Sequence, residues 1–208
     1  MKQIQSTNQS SDILKQVDEF FMNKSPVQDT LRNVARRLSN EGIDYAVIGG
    51  MALALHGLVR PTEGVDLLMT PGGLEVFQRK LVGRGYIQLF SSARKHFRDT
   101  ETGVKVKILT AGDYPGDGKP KPVVRQDVAV HVGEFRVVRL ESLIELKLAS
   151  GLSAKHRELR DLADVQQLIE TLGLPEGFGA RLDRSVRHEY SRLWELAQQT
   201  KREEGFEG

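Results

Sequence analysis

Residues 46–69 read AVIGGMALALHGLVRPTEGVDLLM, and this stretch constrains the fold more than any other. An apolar run of strand length ends at Gly49-Gly50. The segment after it, Met51 to His56, has the composition of a short helical turn. Gly64 to Met69 is strand-like again and carries one acid, Asp66, among apolar neighbours. Strand, glycine turn, helix and strand follow one another closely. The glycine pair is therefore expected to open a helix beside the strand that bears Asp66.

The rest of the chain frames that unit with helices. Residues 1–10 read as a polar tail. Residues 11–22 place Ile13, Leu14, Val17, Phe20 and Phe21 at helical spacing, behind the capping candidates Ser11 and Asp12. Ser25-Pro26 opens a helix to about Ser39 with Leu31, Val34, Ala35 and Leu38 as its apolar stripe. Asn40-Glu41-Gly42 closes it. Leu74 to Val82 is a helix stopped by Gly83 and Gly85, and residues 86–90, 95–99 and 104–109 read as strands of one sheet. AGDYPGDGKPKP is a long turn-rich loop, and VAVHV and FRVVRL form a hairpin around Gly133-Glu134. Helices are expected over 141–149, 153–171 and 184–203.

Helices first, a mixed sheet in the middle and helices last describe an α+β protein rather than a doubly wound one. Three parts are expected: a tail and helix over 1–25, an α/β core over 26–140, and a helical region over 141–208 packed on that core.

Composition mainly excludes. A chain of 208 residues, 39% hydrophobic and 28% charged, has the balance of a soluble globular protein. It has no cysteine, which removes disulfides and thiolate metal sites. The start, MKQIQSTNQSSD, lacks the apolar core of a secretory signal, and no window is long enough to cross a membrane. A cytoplasmic address and no membrane partner are the expectations. The formal charge of +2 is too even to imply nucleic-acid binding by itself. The local clusters Arg32/Arg36/Arg37, Lys119/Lys121/Arg125 and Lys155/His156/Arg157/Arg160 read as solvated faces.

Three groups of residues line up: Gly49-Gly50, then Arg60-x-Thr62-x-Gly64-x-Asp66, then LIELKLASGLSAKHRELRDLADVQQL. Together they resemble the nucleotidyltransferase superfamily, in particular its AbiEii-like, toxin-related group, over about residues 28–172. The resemblance implies a nucleotidyltransferase-like mixed β-sheet flanked by helices, with helical N- and C-terminal extensions. It implies a glycine turn set against a nucleoside triphosphate (NTP). It also implies two acids two residues apart on one strand face, with a third on a partner strand. Such a set holds two Mg²⁺ ions that clamp the triphosphate while pyrophosphate leaves.

Carried over residue by residue, the resemblance assigns Gly49, Gly50, Arg60, Thr62 and Lys107 to the nucleotide. Asp66, Lys147 and Asp164 become the catalytic candidates, with Asp66 also the metal ligand. Simpler roles stand beside these. Arg60 equally suits an exposed loop cation, Thr62 better suits extended backbone, and His56 suits a helix end. Asp161 is expected to pair with Arg157 and Arg160. Gly118-Lys119 is no phosphate loop, because Pro120 follows the lysine.

The sequence departs from the superfamily pattern at two acids. Gly64 stands at the first, and Glu63 beside it points to the opposite strand face. The third acid is expected within VKVKIL at Lys107, an ammonium in a metal's place. Two functions stay open. One is a catalytically degenerate nucleotidyltransferase, whose ancestral activity moved a nucleotide from an NTP to a protein or RNA acceptor, with Mg²⁺ if catalysis survives. The other is a non-catalytic module that binds nucleotide, RNA or protein in the same cleft. In either case a phosphate-bearing ligand is expected near Gly50 without a metal requirement.

Overall fold

In a computed structural model of the chain, residues 25–112 and 129–204 are described. The helix expected at 11–22 and most of the AGDYPGDGKPKP loop lie outside them. The described chain runs α1 (Pro26–Asn40), β1 (Tyr45–Ile48), α2 (Gly49–Leu55), β2 (Gly64–Met69), α3 (Pro71–Leu81), β3 (Tyr86–Gln88), β4 (His96–Asp99), β5 (Lys105–Thr110), β6 (Ala129–Val132) and β7 (Phe135–Val138). Three helices follow, α4 (Leu140–Ser153), α5 (Lys155–Leu172) and α6 (Arg184–Glu204), with a 3₁₀ turn over Glu176–Arg181 between the last two. It is an α+β protein with a seven-stranded mixed sheet and flanking helices. No helix of the described residues is long and apolar enough to cross a membrane.

The chain divides into two compact units, residues 1–111 with 126–138, and residues 112–125 with 139–208. The first holds the sheet, ordered β3-β4-β5-β2-β1-β7-β6. β2 lies antiparallel to β1 and parallel to β5, β1 lies parallel to β7, and β3, β4 and β5 form an antiparallel meander. The 129–138 hairpin takes the expected form, β6 pairing antiparallel with β7.

Side-chain alternation decides which face of the sheet closes. On one face Val65 and Leu67 of β2, Val106 and Ile108 of β5 and Phe97 of β4 are buried. Phe97 stacks with Phe77 of α3 at 4.8 Å between ring centroids, and Phe77 meets Tyr86 of β3 at 5.2 Å. Such pairs add about 0.5–1.5 kcal/mol each beyond the burial itself. On the other face β2, β5 and β4 present Gly64, Asp66, Lys105, Lys107, His96 and Arg98, all half-buried or exposed. The candidate residues Asp66 and Lys107 lie on that second face.

Local signals set the helix boundaries. The Ser25 hydroxyl accepts from the Gln28 amide at 3.3 Å, with Pro26 in the first turn of α1. Past its end Gly42 takes φ +65° and the Ile43 amide returns to the Leu38 carbonyl at 2.9 Å. Thr70 caps α3 in the same way, accepting from Gly73 at 2.9 Å.

Some boundaries differ from the sequence expectation. β3 ends at Gln88; the Leu89 amide still donates to the His96 carbonyl at 3.1 Å, and a turn closed by Ala93 N–H to the Phe90 carbonyl begins just beyond it. α4 runs on to Ser153, and only Ala154 separates it from α5. Gly151 makes that corner possible: a Cβ there would lie 2.9 Å from Leu162 Cδ2. In the same unit the 3₁₀ turn is held by α6, where Tyr190 donates to the Pro175 carbonyl and Trp194 to the Leu174 carbonyl, both at 3.0 Å.

Candidate functional site

β2 carries the first group of candidates, and the glycine pair is built around it. Gly49 opens α2 at φ +66°, in the left-handed region that favours glycine. A Cβ at Gly49 would overlap Asp66 Oδ2 and lie 3.0 Å from the Asp66 Cβ. A Cβ on buried Gly50 would lie 2.6 Å from Thr62 Oγ1. Both glycines are thus required by close approach to the alternate residues Thr62 and Asp66. The turn lies against the face of β2 that bears Asp66. α2 is only seven residues long, and no side chain caps its start.

Across the sheet Asp66 pairs in register with Ile48 on β1 and with Lys107 on β5; Lys107 pairs in turn with His96 on β4. Cross-sheet partners point to the same side, so one carboxylate, one ammonium and one imidazole share a row. Gly64, Lys105 and Arg98 form the next row on that face. Gly64 has a steric reason to lack a side chain, since a Cβ would lie 2.8 Å from the Lys105 carbonyl oxygen. The ladder from Gly64 to Met69 is continuous, so no bulge within β2 brings Glu63 onto the Asp66 face.

Arg60 is half-buried in the segment before β2, and its Nη1 donates to the Pro61 carbonyl at 3.3 Å. Thr62 Oγ1 donates to the Gly64 carbonyl at 3.4 Å while packing on Gly50. His56 ends α2 with Nε2 2.8 Å from the Val138 carbonyl oxygen, which ties the helix to β7.

The remaining two candidates lie in the other unit. Lys147 of α4 is buried, and its Nζ lies 2.7 Å from Asp161 Oδ1 and 2.6 Å from Asp164 Oδ2. Both acids are buried on α5, three residues apart and on one face. Burial pushes the Asp161 carboxyl up, but the charge and hydrogen bond of Lys147 outweigh it and hold the group below the usual carboxylate range. Arg157 Nε adds an ion pair to Asp161 Oδ2 at 3.3 Å. The expected Arg157 pairing of Asp161 is present, and Lys147 is the partner that local spacing missed. A charge triad of this kind locks a helix corner. Asp161 Oδ2 is buried with no hydrogen-bond partner, and the 3.3 Å ion pair from Arg157 is what balances its charge.

Two Mg²⁺ ions, as the resemblance implies them, need several hard oxygen ligands converging on one spot. Here Asp66 has Lys107 as its register partner, and Gly64 stands two residues before it. Among the described residues no group of three or more His, Asp and Glu side chains could hold a metal ion. The described residues alone therefore supply no donor set for two such ions.

Sequence reasoning also passed over His96, Arg98 and Lys105. The signal for Lys105 was present in VKVKI, where every second residue is charged, whereas in KHFRD only Phe97 is apolar and alternation gives no face for His96 and Arg98.

No family model and no curated protein matches the chain. Its fold is similar to a candidate nucleotidyltransferase from Thermotoga maritima, at 21% identity over 65% of this chain and 91% of that one, with TM-score 0.47. An antigenic nucleotidyltransferase-like protein from Paracoccidioides brasiliensis matches at 20% identity, 65% and 72% coverage, and TM-score 0.46. A candidate nucleotidyltransferase from Helicobacter pylori matches at 14% identity, 83% and 93% coverage, and TM-score 0.42.

Proposed function

We infer that the chain is a nucleotidyltransferase-fold protein of the AbiEii-like type that binds a phosphate-bearing ligand, an NTP first among them, without two-metal transfer chemistry. The observation that carries this is the register pairing of Asp66 with Lys107. The row where the resemblance implies converging acids holds one carboxylate and one ammonium. Lys107 offers phosphate the charge a metal would otherwise supply, and Arg60 and Thr62 stand on the approach to the same strand. Lys147 and Asp164 act in this reading through their own helix corner, as a structural pair.

The test is equilibrium binding of a labelled NTP with EDTA and with Mg²⁺, followed by a search for covalent label on protein and RNA acceptors. Binding in EDTA that weakens with salt, falls at least tenfold in Lys107→Glu and leaves no covalent label supports the reading. Label transfer that depends on Mg²⁺, or binding that requires it, overturns it.

A further inference from the structure

The Asp66 row does not stop at Lys107. The Gly49-Gly50 turn lies against its β1 side, where it meets Asp66, and the row runs outward through Lys107 on β5 to His96 on β4. All three side chains are half-buried. Neither Lys107 nor His96 makes a side-chain hydrogen bond or ion pair with another described residue. Their nitrogens are therefore available on the face that bears Asp66.

Neighbouring strands lie about 4.8 Å apart, so His96 stands two spacings, about 9.6 Å, from Asp66 at the backbone. A monophosphate beside Lys107 occupies one position of the row. A triphosphate is longer than one strand spacing, and one that starts by the glycine turn reaches past Lys107 to the imidazole. The charged groups facing His96 are Lys107 of its own row and Lys105 and Arg98 of the next, with Asp66 the one acid in the two rows. β3 sets uncharged Ile87 opposite Arg98 and donates the Leu89 amide to the His96 carbonyl at 3.1 Å. A phosphate held beside an imidazole draws a proton to it, because the ion pair favours the charged form.

Resting on the reading of this row as a nucleotide site, we propose that His96 contacts the terminal phosphate and thereby selects a nucleoside triphosphate over a monophosphate. Lys107 meets the phosphate nearest the turn in either ligand. His96 meets only what a longer phosphate chain brings to β4. The selection is by chain length, and base and sugar play no part in it.

The experiment is equilibrium binding of the common ribonucleoside triphosphates and their monophosphates to the full chain in EDTA, at pH 8 and at pH 5.5. The quantity compared is the preference for triphosphate over monophosphate in wild type, His96→Gln and His96→Lys. Titration of the terminal phosphate itself is common to all three proteins and cancels between them. The wild-type preference, divided by that of His96→Gln, should rise about fivefold as pH falls, since histidine gains its charge over this range. Monophosphate affinity should be the same in wild type and His96→Gln. His96→Lys, charged at both pH values, should keep the high preference throughout. If His96→Gln matches wild type in preference at both pH values while Lys107→Glu still loses binding, this inference is overturned and the reading of the row stands. Equal weakening of monophosphate and triphosphate in His96→Gln would mark a structural role and overturn it too. If no nucleotide binds in EDTA, the reading itself falls and takes this inference with it.

Discussion

The carboxylate of Asp66 lies against the Cα of Gly49, so closely that a methyl group on that carbon would occupy the place of Oδ2. Gly49 also sits at φ +66°. Two separate costs therefore attach to any side chain there. The backbone term for alanine in this region is about 1 kcal/mol, and displacing Asp66 adds to it. Gly49→Ala is expected to lower unfolding free energy by about 2–4 kcal/mol in urea denaturation. Combined with Asp66→Ala, the loss should shrink toward the backbone term alone, because the two residues are in contact. A strictly additive double mutant would show that the approach is not what demands glycine.

Lys147 lies between two buried carboxylates, at 2.7 Å from Asp161 and 2.6 Å from Asp164. Lys147→Met leaves both acids buried without their shared cation, at a cost of about 3–5 kcal/mol. The variant carrying Asp161→Asn and Asp164→Asn as well should recover much of that loss, since amides do not repel. In the wild type Asp161 has a folded-state pKa below its unfolded value. Its stabilisation is complete above the unfolded carboxylate value, about 3.9, and disappears as pH falls through the lower folded value. Chemical denaturation of wild type against the triple variant, between pH 7 and pH 2.5, should show the wild type losing its advantage only below about pH 4.

Tyr190 is wholly buried, and burial pushes its phenol up to about 12. Its folded pKa lies above the unfolded value near 10, so its stabilisation is fully present below about pH 10 and is lost as pH rises through about 12. Ultraviolet titration should find that Tyr190→Phe loses one late-ionising phenol, while Tyr45 and Tyr86, which burial also pushes up, keep ionising late in the variant. The same variant loses the bond to the Pro175 carbonyl, at about 1 kcal/mol near neutral pH.

What could be read in the sequence was whatever local spacing encodes. Ser25-Pro26, Gly42 and the alternation in VKVKIL each act within a few residues, and they placed α1 and β5. The Gly49-Gly50 turn was legible as a turn, but its cause was not, because Asp66 meets Gly49 only after β2 has paired with β1. Asp161 teaches the same lesson. Arg157, four residues away, was predictable, whereas Lys147, fourteen residues earlier, becomes a partner only when α4 folds back on α5. The 3₁₀ turn over Glu176–Arg181 had no periodic signal to find. It exists because Tyr190 and Trp194 hold carbonyls at its start from α6.

The Asp66 row makes a definite claim about metal binding. Replacing Lys107 by aspartate exchanges an ammonium for a carboxylate on the strand beside Asp66, with no backbone obstacle, since Lys107 is half-buried in regular β structure. Gly64→Asp would add the other acid of the superfamily pattern, but its Cβ would lie 2.8 Å from the Lys105 carbonyl, so β2 and β5 would have to separate there. The two substitutions should therefore behave differently. Lys107→Asp is expected to stay folded and to gain Mg²⁺ or Mn²⁺ binding in the millimolar range, because two carboxylates and water supply part of an octahedral shell. Gly64→Asp alone should lose about 1–3 kcal/mol of stability and gain no ion. Isothermal titration with each ion, paired with urea denaturation, reads both effects at once. Wild-type protein that already takes up two ions tightly would mean the ligands lie elsewhere, and the Asp66–Lys107 row would then not be the site.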